Sequence, residues 1–428
     1  MLRIEIEPSD ALVDEAVAVK VAGCPPGQPV SIRARMAGYL GCAWESRATF
    51  RADARGCADL ATARPETGSY DGVDAMGLFW SMAADGEPAA ALVDSAAPLE
   101  VRVDAAADGE ISASAVARRR FAGPGVTRAE VRDTTPCCEV PLAARDAGIA
   151  GTLFRPSGAG PHPAVIVLGG SSGDVWEAHA ALLASRGFAA LALAYFGAPT
   201  LPSRLAQIPL EYFRFAIGWL RRQPGIDPGA LAVLGGSRGG ELALLLGATF
   251  PGIRAVVAYV PSGVLWEGMG EPGKRPASWT LGGEAQPFLR RRDDAIDWTQ
   301  APIALTPGFL AALQDGAAVS EAAIAVERTR GAMLLISAGD DRMWPSARLA
   351  EIAMERLRQK GFGLPAEHLS YAGAGHLVVS PPHLPATVDR ARHPIARLDF
   401  AFGGSPAAEA AARADAWPRV IAWLQRYL

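Results

Sequence analysis

Lysine is nearly missing from this chain, with three residues among 41 basic ones, and the acidic residues number 45. The formal net charge is therefore −4, which leaves no basic footprint for nucleic acid. Cysteine is scarce as well. The five are Cys24, Cys42, Cys57, Cys137 and Cys138, an odd number without metal-ligand spacing, so neither a disulfide framework nor a metal site is expected. No uninterrupted apolar run approaches the roughly 18 residues that span a bilayer. The opening MLRIEIEPSD lacks a basic segment followed by an apolar one, so no secretory signal is expected. Reduced thiols, a cytoplasmic location and no contact with membrane follow as expectations. Histidine is rare too: all six lie beyond residue 161, and the first third of the chain therefore has no imidazole base. No cofactor is implied, and the oligomeric state is not written in the sequence.

What is present divides the chain. At 428 residues it has room for two or three domains, each with its own core. Residues 1–103 carry short alternating segments such as VAVKVAG (17–23), VSIRARM (30–36) and LEVRVDA (99–105), separated by Gly- and Pro-rich turns. That spacing predicts an all-β, immunoglobulin-like sandwich of about a hundred residues. Residues 104–138 are rich in Ala, Arg and Asp with little apolar periodicity and read as a linker, with Cys137 and Cys138 as a pair of partly buried thiols. From 139 to 428 apolar strands alternate with helical segments, which predicts a parallel sheet covered on both faces. The strands read as PAVIVLGG (163–170), AALALAYFG (189–197), LAVLGG (231–236), RAVVAYVPSG (254–263), AMLLISAGDD (332–341) and EHLSYAGAGH (367–376). The stretch 264–323 interrupts the alternation, is rich in Pro, Gly and Trp, and is expected to form a cap over an active site.

The segment LAVLGGSRGGELALLL (231–246) joins an apolar strand to a run of helix formers through a glycine turn with Ser237 at its apex. This is the nucleophile elbow, G-x-S-x-G, of the α/β-hydrolase fold. With 46 glycines in the chain the motif alone is weak, and a second match occurs at Gly169-Gly170-Ser171-Ser172-Gly173. Ser237 is the better nucleophile, because the earlier loop then falls where the second oxyanion donor belongs. Arg238 supplies one backbone N–H, and Gly170 or Ser171 the other. Ser171 as nucleophile would leave its oxyanion loop in the linker, where no strand is apparent. Chain order then requires an acid after a late strand and a histidine after the last one. Asp340 and Asp341 end one such strand; His376 sits in the glycine turn after the next. His383 and His393 are the other candidates for the base. The aspartate that does not pair with histidine is expected to cap the helix starting near Pro345. Arg290, Arg291 and Arg292 read as a solvated basic turn balanced by Asp293 and Asp294. Trp266, Trp279 and Trp298 belong either to an acyl pocket or to the cap's own core. The Arg238 side chain either reaches substrate, points to solvent or pairs with an acid at the sheet edge.

The ordered segments VLGGSSGD, ALAYFGAP, IPLEYFRFAIGWL, GGSRGGELALLL, YVPSGVLW, ISAGDDRMWPS and AGAGHLVVSPP, together with GSYDGVDAMGLFWSM (68–82), span nearly the whole chain. They resemble the acyl-CoA thioesterase and bile acid-CoA:amino acid N-acyltransferase family, its bacterial members in particular. The resemblance implies a β-sandwich followed by an α/β-hydrolase domain, and a triad of Ser or Cys, Asp and His. The family's acid is the second of the paired aspartates, here Asp341, and its base matches His376. Members that conjugate acyl groups to amino acids carry cysteine at the elbow, whereas thioesterases carry serine, so Ser237 favours hydrolysis. The implied substrate is an acyl thioester on CoA or on an acyl carrier protein. Transfer to an amine or alcohol acceptor, and hydrolysis of an oxygen ester or lactone as by a dienelactone hydrolase, are the alternative expectations.

Overall fold

The computed structural model describes residues 2–88, 95–107, 110–133, 148–271 and 273–428. The N-terminal part forms two sheets. The smaller joins Arg3–Glu7, Ala18–Ala22 and Cys57–Asp59. In the larger, Asp10–Leu12, Glu110–Arg120, Leu99–Ala107, Pro29–Ala37, Ala43–Arg51 and Thr67–Gly68 lie side by side. Alternation decides which side is covered: Val30, Ile32, Ala34 and Met36 face inward from PVSIRARMA, while Ser31, Arg33 and Arg35 face out. Val19 and Val21 of the smaller sheet meet Ile32 and Phe50 of the larger in one core.

One expectation fails here. Residues 104–107 and 110–120 are not a linker but parts of two antiparallel strands inside the larger sheet, paired from Arg119–Leu99 to Glu110–Ala107. The alternation is hidden because its inward positions are filled by Ala105, Ala117 and a buried Arg119 rather than by large apolar residues. Arg119 lies over the Phe79 ring and donates to the Val13 and Glu15 carbonyls, so its charge is held inside the sandwich. The expected thiol pair Cys137–Cys138 lies outside the described residues.

The second sheet has eight strands: β1 (Thr127–Arg132), β2 (Ala150–Arg155), β3 (His162–Leu168), β4 (Ala189–Ala194), β5 (Ile226–Gly236), β6 (Ala255–Tyr259), β7 (Ala332–Ala338) and β8 (Ala366–Tyr371). Their spatial order is β1-β2-β4-β3-β5-β6-β7-β8. β2 runs antiparallel to both neighbours and every later pairing is parallel. This is the α/β-hydrolase architecture, and its inner strands are buried on both faces, as in AALALA and AMLLISA. Five helices cover it: α1 (Glu177–Ser185), α2 (Leu210–Arg221), α3 (Arg238–Thr249), α4 (Ser346–Gln359) and α5 (Pro406–Tyr427). Val165 and Val167 of β3 pack with α1 and α5, and the alternate residues Ile166 and Leu168 with α2, α3 and α4. The sandwich lies on the α1/α5 side, where Arg186 binds Asp14 through two bonds of 3.0 and 2.7 Å. The C-terminal ends of β3, β5, β7 and β8 open onto one crevice, where open parallel sheets place their ligands.

Candidate active site

β5 ends in two glycines, and the chain turns so sharply into α3 that Ser237 adopts φ 57°, ψ −122°. A side chain on either flank is excluded: a Cβ on Gly235 would lie 2.1 Å from the Gly239 carbonyl oxygen, and one on Gly239 2.3 Å from that of Gly169. The serine amide donates to Tyr259 O at 3.0 Å, tying the turn to β6. Held this way, Ser237 presents Oγ to the crevice above the N-terminus of α3, whose dipole favours negative charge there.

His376 follows β8 in the Gly373–Gly375 turn. Its Nε2 lies 3.0 Å from Ser237 Oγ, and its Nδ1 lies 3.0 and 2.9 Å from the two Asp341 oxygens. Asp341 and His376 are each 5% exposed, so this pairing is screened from water. Donation from Nδ1 to the carboxylate leaves Nε2 to accept the serine proton. Asp341 Oδ1 also accepts the N–H groups of Met343 and Trp344 at 3.0 and 3.2 Å, which fixes the carboxylate plane. His376 is braced by a parallel Phe402 ring with centroids 6.2 Å apart. Asp340 does something other than expected: it accepts from Gly404 N at 3.0 Å and meets Arg342, leaving α4 without a side-chain cap.

The loop after β3 leans against the serine: a Cβ on Gly170 would stand 3.4 Å from Ser237 Cβ. Tyr195 holds that loop through Gly169 O at 2.7 Å. Arg238 opens α3, so its amide has no acceptor one turn back in the helix. Arg238 and the Gly170-Ser171 loop share with Ser237 the lining of the cavities beside it. The Arg238 side chain turns neither to substrate nor to solvent. It is buried, pairs with Glu241 at 2.7 Å, and donates to Trp266 O at 3.0 Å and to Ser278 Oγ. Burial pushes the Glu241 carboxyl up to about 7, opposed by Arg238 and by a 2.7 Å bond from Trp279 Nε1.

Two cavities flank Ser237. The larger, about 460 Å³, is walled by Trp266, Phe309, Trp344 and Phe400 and carries Arg204 and Lys274 among its lining residues. The smaller, about 160 Å³, lies between Ser171, Trp176 and His376. Among the three tryptophans the roles divide: Trp266 and Trp298 line the larger cavity, while Trp279 is spent on Glu241. In the 290–292 turn Arg292 pairs outward with Asp294 at 2.7 Å, and Arg291 pairs with Asp293 while stacking on Trp298 and Phe309. His383 stands apart from the serine. His393 lines both cavities with Ser237, but its Nε2 meets another serine, 3.1 Å from Ser171 Oγ.

Two supports escaped the sequence reading. Glu409 on α5 accepts the Gly375 amide at 2.6 Å and meets Arg413, which also donates to Leu377 O and Pro385 O. Both side chains are buried, so this pair steadies the His376 turn from below. Its only local signal is the i, i+4 spacing of an acidic and a basic residue. Among the described residues no three His, Cys, Asp or Glu side chains converge as metal ligands, and no helix is long and apolar enough to cross a membrane.

Comparison with known proteins follows the same division. Residues 208–428 match the BAAT/acyl-CoA thioester hydrolase C-terminal family model, and residues 14–133 match the acyl-CoA thioester hydrolase/BAAT N-terminal region. Acyl-coenzyme A thioesterase 1 of Rattus norvegicus is 31% identical over 97% of this chain and 94% of its own length. The mitochondrial acyl-coenzyme A thioesterase 2 of the same species is 32% identical over 99% and 89%. Among solved structures, a putative dienelactone hydrolase from Klebsiella pneumoniae is similar to 71% of this chain over 99% of its own, with 19% identity and a TM-score of 0.42.

Proposed function

We infer the reaction from one premise: this chain belongs to the acyl-CoA thioester hydrolase/BAAT family. It is a thioesterase-like hydrolase, and its chemistry on this proposal runs through Ser237, His376 and Asp341. The observation that carries the proposal is the unbroken line of hydrogen bonds, 3.0 Å from Ser237 Oγ to His376 and 2.9 Å on to Asp341. Ser237 Oγ attacks the thioester carbonyl carbon while His376 Nε2 takes its proton. The carbonyl π pair moves onto oxygen, which the N–H groups of Arg238 and of the Gly170-Ser171 loop stabilise. Collapse breaks the C–S bond; the thiolate leaves with the proton from His376, and Ser237 keeps the acyl group. Water, deprotonated by the same imidazole, then releases the free acid.

The aromatic walls of the larger cavity suit an acyl chain, and Arg204 and Lys274 suit the phosphates of a thiol carrier such as CoA. A carrier protein in place of CoA, and a cytoplasmic site of action, belong to the same proposal. Following thiol release from a panel of acyl-CoAs tests it. Wild type is expected to release thiol, and Ser237→Ala and His376→Ala to lose about 10⁴-fold or more in kcat. Full activity in both variants overturns the assignment.

A further inference from the structure

Ser171 carries the second glycine-serine turn of the sequence, and the proposed reaction uses no more of it than a backbone N–H. Ser171 lines both cavities beside Ser237. We propose that this hydroxyl is a third hydrogen-bond donor to the oxyanion formed at Ser237, aimed there because His393 occupies its acceptor side. The proposal rests on the reading of Ser237 as nucleophile.

The orientation follows from the tautomer of His393. Its Nδ1 receives the backbone N–H groups of Ile395 and Ala396 at 3.2 and 3.1 Å. A nitrogen that accepts two N–H groups carries no proton, so the neutral ring bears its hydrogen on Nε2. Nε2–H therefore donates to Ser171 Oγ across 3.1 Å. The ring stays neutral at working pH, since burial holds its pKa down at about 4. Such an imidazole cannot take the Ser171 proton, so Ser171 and His393 are not a second nucleophile and base. With its lone pair engaged, and with no other partner among the described residues, the Ser171 hydroxyl has its own hydrogen to give. The loop that carries it touches Ser237, and the oxygen that gains charge during attack lies between this loop and the Arg238 amide. Before attack that oxygen is a weak acceptor; after attack it bears a full charge, and the third donor is then most effective. Ser171 thus contacts the reacting atoms, and His393 is a positioning residue.

Single-turnover acylation by p-nitrophenyl butyrate, read as the burst of p-nitrophenolate with mass mapping of the adduct, tests the idea. Ser171→Ala is expected to slow acylation of Ser237 by about 10²-fold without weakening ester binding, the loss typical of one oxyanion donor. Ser171→Thr, which keeps the hydroxyl, is expected to restore most of the rate. His393→Phe should slow acylation as well, and adding it to Ser171→Ala should cost nothing more, because the two act as one unit. A wild-type rate in Ser171→Ala, or a threonine that fails to rescue, overturns the proposal while leaving Ser237 in place. An adduct mapped to any residue other than Ser237 overturns the underlying reaction, and this inference with it.

Discussion

Ser237 sits at a backbone conformation that a residue with a side chain occupies at a cost of about 1–3 kcal/mol. The turn persists because the chain on both sides is packed too closely for any residue but glycine, and because the Tyr259 carbonyl binds the serine amide. The neighbouring aspartates show how one position along the chain changes a role. Asp341 is buried against His376, whereas Asp340, one residue earlier, faces the Gly404 amide at the surface. Asp341→Asn is therefore expected to lower kcat by about 10⁴-fold, because an amide cannot hold the imidazole in the tautomer that accepts from serine. Asp340→Asn should keep activity near wild type. Steady-state kinetics of the two variants decides between them, and a larger loss in Asp340→Asn contradicts the geometry.

Elements show what a linear reading captures and what it cannot. The buried strands of the parallel sheet are unbroken apolar runs, and such runs announce themselves locally. Ser237 and His376 were legible because each lies just past a strand, in a glycine turn, in an order that the fold prescribes; that order left Asp340 and Asp341 open, and only the family resemblance pointed to Asp341. The strand Glu110–Arg120 was not, since its inward Ala117 and Arg119 carry no apolar alternation. Nor was the Ser171–His393 contact, which joins residues 222 apart; no periodicity records a pairing made only by folding. The buried Glu409–Arg413 pair under the His376 turn is of the same kind. Arg413→Met would leave the Glu409 carboxylate buried with only the Gly375 amide. We expect a loss of about 3–5 kcal/mol in urea unfolding, the cost typical of stripping one partner from a buried ion pair. A change within about 0.5 kcal/mol, typical of a surface substitution, would mean that the pair does not brace the turn.

The whole molecule is organised around a core that continues from the sandwich into the α1/α5 face of the hydrolase sheet. Arg186 and Trp417 both reach Asp14 across that junction, and Thr387 reaches the Met82 carbonyl. Buried histidines make this assembly sensitive to acid. His179 in α1, His383 and His393 are each held by burial at about 4, below their ordinary 6.5. A depressed pKa means that the unfolded chain binds these protons first. Their contribution is complete above pH 6.5 and is lost as pH falls from there toward 4. The melting temperature is expected to drop across that window, and His179→Gln to flatten the drop; a flat profile in the wild type would contradict the burial of these rings as neutral groups.

The central claim is that Ser237 carries the acyl group between thiol and water. Intact-protein mass spectrometry after brief mixing with a panel of acyl-CoAs, with Ser237→Ala alongside, tests it most directly. An acyl adduct is expected on wild type alone, mapped to Ser237 and decaying as free acid appears. Turnover of the same thioesters by Ser237→Ala, or an adduct on another residue, would contradict it.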